Sequence, residues 1–121
     1  MQIKNALFED LSDILKLQYL AYQSEARLLN NNNIPPLKQT LHEVEQEYAS
    51  GPFLKAVYEQ NHIIGSIRGS VQNDTIHIGK LIVHPDYQGQ GIGKLLLKEM
   101  EVLFPQKRME LFTSTLSAKN I

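Results

Sequence analysis

Between residues 87 and 94 the chain reads Tyr-Gln-Gly-Gln-Gly-Ile-Gly-Lys, with glycine at 89, 91 and 93. Glycine at alternate positions lets a main chain approach a ligand with no Cβ in the way. The residues before it, Leu81-Ile82-Val83-His84-Pro85, read as the end of a strand, and those from Ile92 onward as a helix. The first amides of a helix have no partner within it, and that end carries roughly half a positive charge, so an anion answers both deficits. The spacing therefore predicts a cradle for a phosphate-bearing ligand. A charge-assisted hydrogen bond contributes roughly 1.5–3 kcal/mol. Three or four of them, less the entropy of binding, support a micromolar complex near about −8 kcal/mol. Lys94 can add a point charge to a phosphate or stand exposed one turn into the helix.

Other glycine loops fit less well. A Walker loop needs Gly-x-x-x-x-Gly-Lys-Ser/Thr, but Gln88 stands five before Gly93, and Leu95 stands where the magnesium-binding hydroxyl belongs. A dinucleotide fingerprint starting at Gly89 wants glycine or alanine where Lys94 stands, and a strand that opens a parallel β-α-β unit. Beyond the cradle, His77 and His84 can be offered as bases because histidine as a residue type serves that role near neutrality, yet both read first as structural. Glu43, Glu45 and Glu47 could draw a cationic amine, or form a solvated helix face.

The elements that must position these residues follow from periodicity. Gln2 to Phe8 alternates like a short strand, and Leu11, Ile14, Leu15 and Leu17 predict a helix capped near Asp10. Leu29 to Pro36, with four asparagines and two prolines, reads as a loop. Thr40-Leu41-His42-Glu43 matches a capping box for a second helix ending near Ser50-Gly51-Pro52. Phe53 to Glu59 and Ile63 to Val71 read as a hairpin, with Gly65 and Gly69 marking a bulge. Thr75 to Val83 adds a third strand to this meander. Ile92, Leu95, Leu96, Met100 and Leu103 define one face of a helix that Phe104-Pro105 stops. Met109 to Thr115 then reads as a parallel strand reached by a right-handed crossover. The expected fold is α/β: a mixed, largely antiparallel sheet with flanking helices, in the order β-α-α-β-β-β-α-β, forming one domain over residues 1–121.

A formal charge of −1 gives no general attraction to nucleic acid or an anionic membrane. Without cysteine there is no disulfide, thiolate metal site or thiol nucleophile, and no metal site is expected. The start lacks the apolar core of a signal peptide, and no apolar run approaches the roughly 18 residues that span a bilayer. The expectation is a cytoplasmic protein. If Met109 to Thr115 is an edge strand, pairing with a second copy to give a homodimer is expected.

Gln88-x-x-Gly91-x-Gly93, with Leu81 to Pro85 before it and Lys94-Leu95-Leu96 after it, resembles the acetyl-CoA-binding motif of the GNAT N-acetyltransferase superfamily, Gln/Arg-x-x-Gly-x-Gly/Ala. The specific match spans about residues 79–97, and the element order matches over essentially the whole chain. The resemblance implies acetyl-CoA as acetyl donor and a primary amine of a small molecule or protein as acceptor. It further implies pantetheine along Leu81, Ile82 and Val83, in a gap between the fourth and fifth strands. The pyrophosphate would lie on the amides of Gln88, Gly89, Gln90, Gly91, Ile92, Gly93 and Lys94.

The amine, with a pKa of about 10, must lose a proton before attack, and a backbone amide can stabilise the oxyanion. In the family a tyrosine on the helix after the fifth strand usually protonates the CoA thiolate. Here Ser117-Ala118-Lys119-Asn120-Ile121 resembles the opening of that helix, but no tyrosine follows. The domain is thus expected to be incomplete at its C-terminal end, with its last helix and strands missing. None of the tyrosines at 19, 22, 48, 58 and 87 is placed at the sulfur by its spacing. Glu110, Thr113 and Ser114 are further candidates on the fifth strand, and no catalytic residue is assigned. Such a partial acetyltransferase is expected to bind acetyl-CoA better than it turns it over; the alternative is a non-catalytic acetyl-CoA-binding module or an inactive remnant, and a third reading, an unrelated nucleotide-binding domain, predicts binding of ATP or NAD instead.

Overall fold

The computed structural model describes residues 1–30, 34–105 and 107–111. Its strands are β1 (Gln2–Asn5), β2 (Phe53–Tyr58), β3 (His62–Gln72), β4 (Thr75–Val83) and β5 (Arg108–Leu111); its helices are α1 (Leu11–Leu29), α2 (Leu41–Ser50) and α3 (Ile92–Leu103). The sheet order follows the chain, β1-β2-β3-β4-β5. All neighbours are antiparallel except β4 and β5, which are parallel with Thr75 opposite Arg108 and Ile78 opposite Leu111. The expected mixed, largely antiparallel sheet and its element order are therefore present. The proposed extension of the fifth strand to Thr115, the helix opening at Ser117–Ile121 and most of the asparagine loop lie outside the described residues. None of the helices among those residues is long and apolar enough to cross a membrane.

Alternating side chains give the sheet two apolar faces. On one, Ile92, Leu96 and Met100 of α3 pack on Leu54, Ile64, Ile76, Ile78, Leu81 and Val83. On the other, Leu11, Ile14, Leu17 and Ala21 of α1 and Val44 of α2 meet Phe53 and Ile82. α1 and α2 thus cover one face, and α3 covers the other.

Local chemistry sets the element ends. The Thr40 hydroxyl accepts from the Glu43 amide (3.2 Å) and the Glu43 carboxylate accepts from the Thr40 amide (2.9 Å), completing the box that starts α2. The Asp10 carboxylate does not cap α1 as expected; it accepts instead from the Leu7 amide (2.7 Å) and the Lys55 ammonium (2.6 Å). Burial raises the Asp10 pKa, but these bonds outweigh it and hold the carboxyl below its ordinary value. The first strand is shorter than expected, because Phe8–Asp10 closes into a 3-10 turn.

Two bulges interrupt the sheet, one between Ala56 and Val57 against β3, the other between Arg68 and Gly69 against β4. Each lies beside one of the strand glycines, as the sequence suggested. In the second, Arg68 pairs with Lys80 and Gly69 with Ile78, so Gly79 is the additional residue. Gly51 makes the closest approach: a Cβ there would lie 2.1 Å from the Gly69 carbonyl oxygen and 2.9 Å from the Ser70 Cα. Its backbone is extended, so the constraint is space alone. Gly51→Ala is expected to lower stability by about 1–3 kcal/mol, as overpacking does, measured by urea denaturation.

Candidate active site

The turn from β4 into α3 has the form the glycines require. Pro85–Tyr87 makes a 3-10 turn, in which the His84 Nδ1 accepts from the Asp86 amide at 3.1 Å. Gly89 and Gly91 then adopt left-handed backbone angles (φ +81° and +82°), and Gly91 is the residue preceding α3. A Cβ at either would meet nothing within 4 Å. These glycines are needed for their conformation and for an open approach, not for packing. Gly93 is buried in the first turn of the helix, and Ile92 belongs to the core under it.

The first main-chain bond of α3 runs from the Leu95 amide to the Gly91 carbonyl at 3.1 Å. Among the described residues, the amides of Gln88 through Lys94 receive no protein acceptor. Seven consecutive residues thus present main-chain donors at the positive end of a 12-residue helix. Gln88 and Gly91 are partly exposed, and Gly89, Gln90 and Lys94 are exposed. The Gln88 side chain turns back, its Nε2 donating to the Val83 carbonyl at 3.3 Å, and so ties the cradle to the end of β4.

The strand itself divides Leu81, Ile82 and Val83. The His84 amide donates to the Ile64 carbonyl on β3 at 2.8 Å. Main-chain groups of an antiparallel strand alternate sides, so those of Ile82 also address β3. Those of Leu81 and Val83 address the β5 side, away from the meander.

On the α1–α2 face, a cavity of about 730 Å³ lies between α2, β3 and β4. Glu43, Glu47 and Ser50 line it from one face of α2, with His77 and Gly79 from β4. Arg68 forms its floor. That side chain is 3% exposed; its Nη2 donates to Gln18 (2.8 Å) and Gln39 (2.7 Å) and forms an ion pair with Glu47 Oε1 at 2.9 Å. Its guanidinium also stands 5.2 Å from the centre of the Phe53 ring. Nε and Nη1 find no acceptor among the described residues. Burial pulls the Arg68 pKa down, with the Glu47 charge opposing. Burial and then the Arg68 charge pull the Lys80 pKa down as well, and its Nζ stands 3.9 Å from Glu47.

The structure brings some sequence candidates together and separates others. His77 Nδ1 lies 3.2 Å from Glu110 Oε2, across the parallel pairing in which the two residues are directly opposed. Glu43 and Glu47 face the cavity, whereas Glu45 does not line it. His84 packs edge-on against Tyr87, with ring centres 5.5 Å apart, outside that cavity. Thr113 and Ser114 lie outside the described residues. Arg68 escaped the sequence reading; a lone arginine inside the apolar run Ile63 to Val71 was the available signal.

A mixed sheet with helices on both faces, carrying an unpaired amide cradle after its fourth strand, defines the acyl-CoA N-acyltransferase class of fold. The sequence matches the family model for the acetyltransferase (GNAT) family over residues 8–120. It is 32% identical over 81 residues to an uncharacterized N-acetyltransferase in the lysA 3' region of Bacillus methanolicus, an alignment that spans 66% of each chain. The fold is similar to the PaiA N-acetyltransferase of Thermoplasma acidophilum in complex with coenzyme A, with a TM-score of 0.83, 17% identity, and coverage of 97% of this chain and 81% of that one. It is also similar to a GNAT acetyltransferase of Brucella melitensis in complex with acetyl-CoA (TM-score 0.72, 19% identity, 93% of this chain and 75% of that one). The chain belongs to the GNAT acetyltransferase family.

Proposed function

We propose that this chain, acting as one domain, transfers the acetyl group of acetyl-CoA to a primary amine. The observation that carries the reading is the run of amides from Gln88 to Lys94 that no described protein group accepts from, at the start of α3. The amides of Gln88, Gly89, Gln90, Gly91, Ile92, Gly93 and Lys94 hold the diphosphate, with the helix end supplying the field. Leu81 and Val83 hold the pantetheine arm through main-chain groups on the β5 side, while Ile82 anchors the strand to β3. Bound acetyl-CoA supplies the thioester carbonyl that an amine attacks.

The cavity on the opposite face is the acceptor site. Of the residues that line it, Arg68 is offset by Glu43 and Glu47, so one positive and two negative side chains leave these three with one negative charge. A net negative charge draws a protonated amine toward it. Water is largely excluded from its floor, where the Arg68 side chain is 3% exposed.

Calorimetric titration with acetyl-CoA, ATP and NAD tests the reading. Acetyl-CoA is expected to bind at micromolar concentration and the two nucleotides far more weakly. Equal or tighter binding of ATP or NAD would overturn it. Free CoA released in the presence of an amine distinguishes an enzyme from a module that binds acetyl-CoA without turning it over.

A further inference from the structure

We infer that Lys80 is an internal acceptor, whose Nζ takes the acetyl group from bound acetyl-CoA when no other amine is present; the inference rests on the acetyltransferase reading above. Lys80 lies on β4 between Gly79, which lines the 730 Å³ cavity, and Leu81, whose main chain addresses the donor side. It is paired with Arg68, the cavity floor, and its Nζ stands 3.9 Å from Glu47, which lines the cavity from α2. A diphosphate on Gln88 to Lys94 fixes one end of the cofactor beyond the end of β4. A pantetheine arm that runs back past Val83 and Leu81, at about 3.3 Å per residue, carries its thioester toward the level of residues 79 and 80. Acceptor cavity and donor strand therefore meet at this lysine.

Its neighbours fix the face it occupies. Leu81 and Val83 pack in the α3 core and Ile82 in the core under α1 and α2, so by alternation Lys80 lies on the α1–α2 face. The bulge sets Gly79 beside it with no side chain, where a Cβ would meet only the Arg68 carbonyl oxygen, at 3.8 Å. The main chain next to the lysine is thus bare and faces the cavity. Burial, and after it the Arg68 charge, hold the Lys80 pKa below the ordinary lysine value, with Glu47 and Glu43 opposing. At a given pH more of this side chain is the free amine than of an exposed lysine.

The step balances with acetyl-CoA as the one co-reactant. The ammonium gives a proton to water, and the Nζ lone pair forms a C–N bond to the acetyl carbonyl carbon. The C–S bond breaks, and its electron pair leaves on sulfur as CoA thiolate. The second proton released from nitrogen passes to that sulfur or to water, leaving N-acetyl-lysine and CoA.

Exposure argues for the opposite order of reaction, and this makes the inference testable. Lys4, Lys16, Lys94 and Lys98 are exposed, whereas the Lys80 side chain is 19% exposed. A reagent arriving from solution acetylates the exposed lysines first, so a preference for Lys80 requires delivery from a bound thioester. The protein is incubated with acetyl-CoA and no added amine, digested, and its acetylated lysines are quantified over time by mass spectrometry. Lys80 is expected to react at least about 100-fold faster than the exposed four, as a group held beside its reaction partner does. The rate is expected to be independent of protein concentration and suppressed by excess CoA, and acetic anhydride is expected to reverse the order. Lys80→Arg is expected to abolish the stoichiometric release of CoA while keeping the parental acetyl-CoA affinity. Acetylation of Lys80 no faster than of the exposed lysines, or a rate that rises with protein concentration, would overturn the inference. With acetyl-CoA binding intact by calorimetry, either result would leave the proposed activity standing. Failure of acetyl-CoA to bind would overturn that activity and the internal acceptor together.

Discussion

Gly91→Val is expected to weaken acetyl-CoA binding at least about 100-fold, measured by calorimetric titration. Gly91 sits at φ +82° immediately before α3. A β-branched residue is a genuine outlier at such angles, and a left-handed conformation costs an ordinary residue roughly 1–2 kcal/mol. The chain relieves that strain by rotating the peptide units on either side, which turns adjacent amides out of the cradle. Two lost charge-assisted bonds, at roughly 1.5–3 kcal/mol each, correspond to a factor of about 100 or more at 1.4 kcal/mol per tenfold. A Cβ at this position touches nothing within 4 Å, so the packed core is spared and the circular dichroism spectrum is expected to match the parent. An unchanged dissociation constant would remove the diphosphate from this turn.

The second large effect concerns stability. Glu47→Ala is expected to cost about 2–3 kcal/mol, read from urea denaturation. Removing one partner of a buried ion pair typically costs about 3–5 kcal/mol, because the other charge is left behind. The Glu47 side chain is 36% exposed, so solvent screening places the effect at or below the lower end. Arg68→Met removes the stranded charge along with its pairing, and is expected to cost less than Glu47→Ala. In the Arg68→Met background, Glu47→Ala is expected to add almost nothing. A cost of Glu47→Ala below about 0.5 kcal/mol would show that the pair behaves as an ordinary surface bridge.

The sequence disclosed the cradle more fully than the acceptor side, and the reason is range. The cradle is local: glycines 89, 91 and 93, the strand before them and the helix after them lie within about 15 residues, and each signal is a backbone requirement written in residue type. The capping box at Thr40 and Glu43 was legible for the same reason. The cavity is assembled from α2, β3 and β4, and nothing local announces that Arg68 will meet Gln18 and Gln39, 50 and 29 positions away. His77 shows the limit of periodicity. Alternation assigns it to one face of β4, the bulge assigns it to the other, and a bulge position is a property of two strands together. Asp10 was legible as a helix-start residue, but its partner Lys55, 45 positions on, redirected its carboxylate away from the cap.

Gly65 carries a consequence for how the binding end of α3 is aimed. A Cβ there would meet Ile92 Cγ2, Leu96 Cδ1 and the Ile82 carbonyl oxygen, each at 3.2 Å. The bare α-carbon acts as a seat on which the opening turn of the helix rests, and one methyl group would be a shim beneath it. Raising that end by a few tenths of an ångström would tilt the helix axis like a lever whose far end is held by Met100. The direction of the positive pole is therefore set from beneath the sheet's surface, by a residue that no ligand reaches.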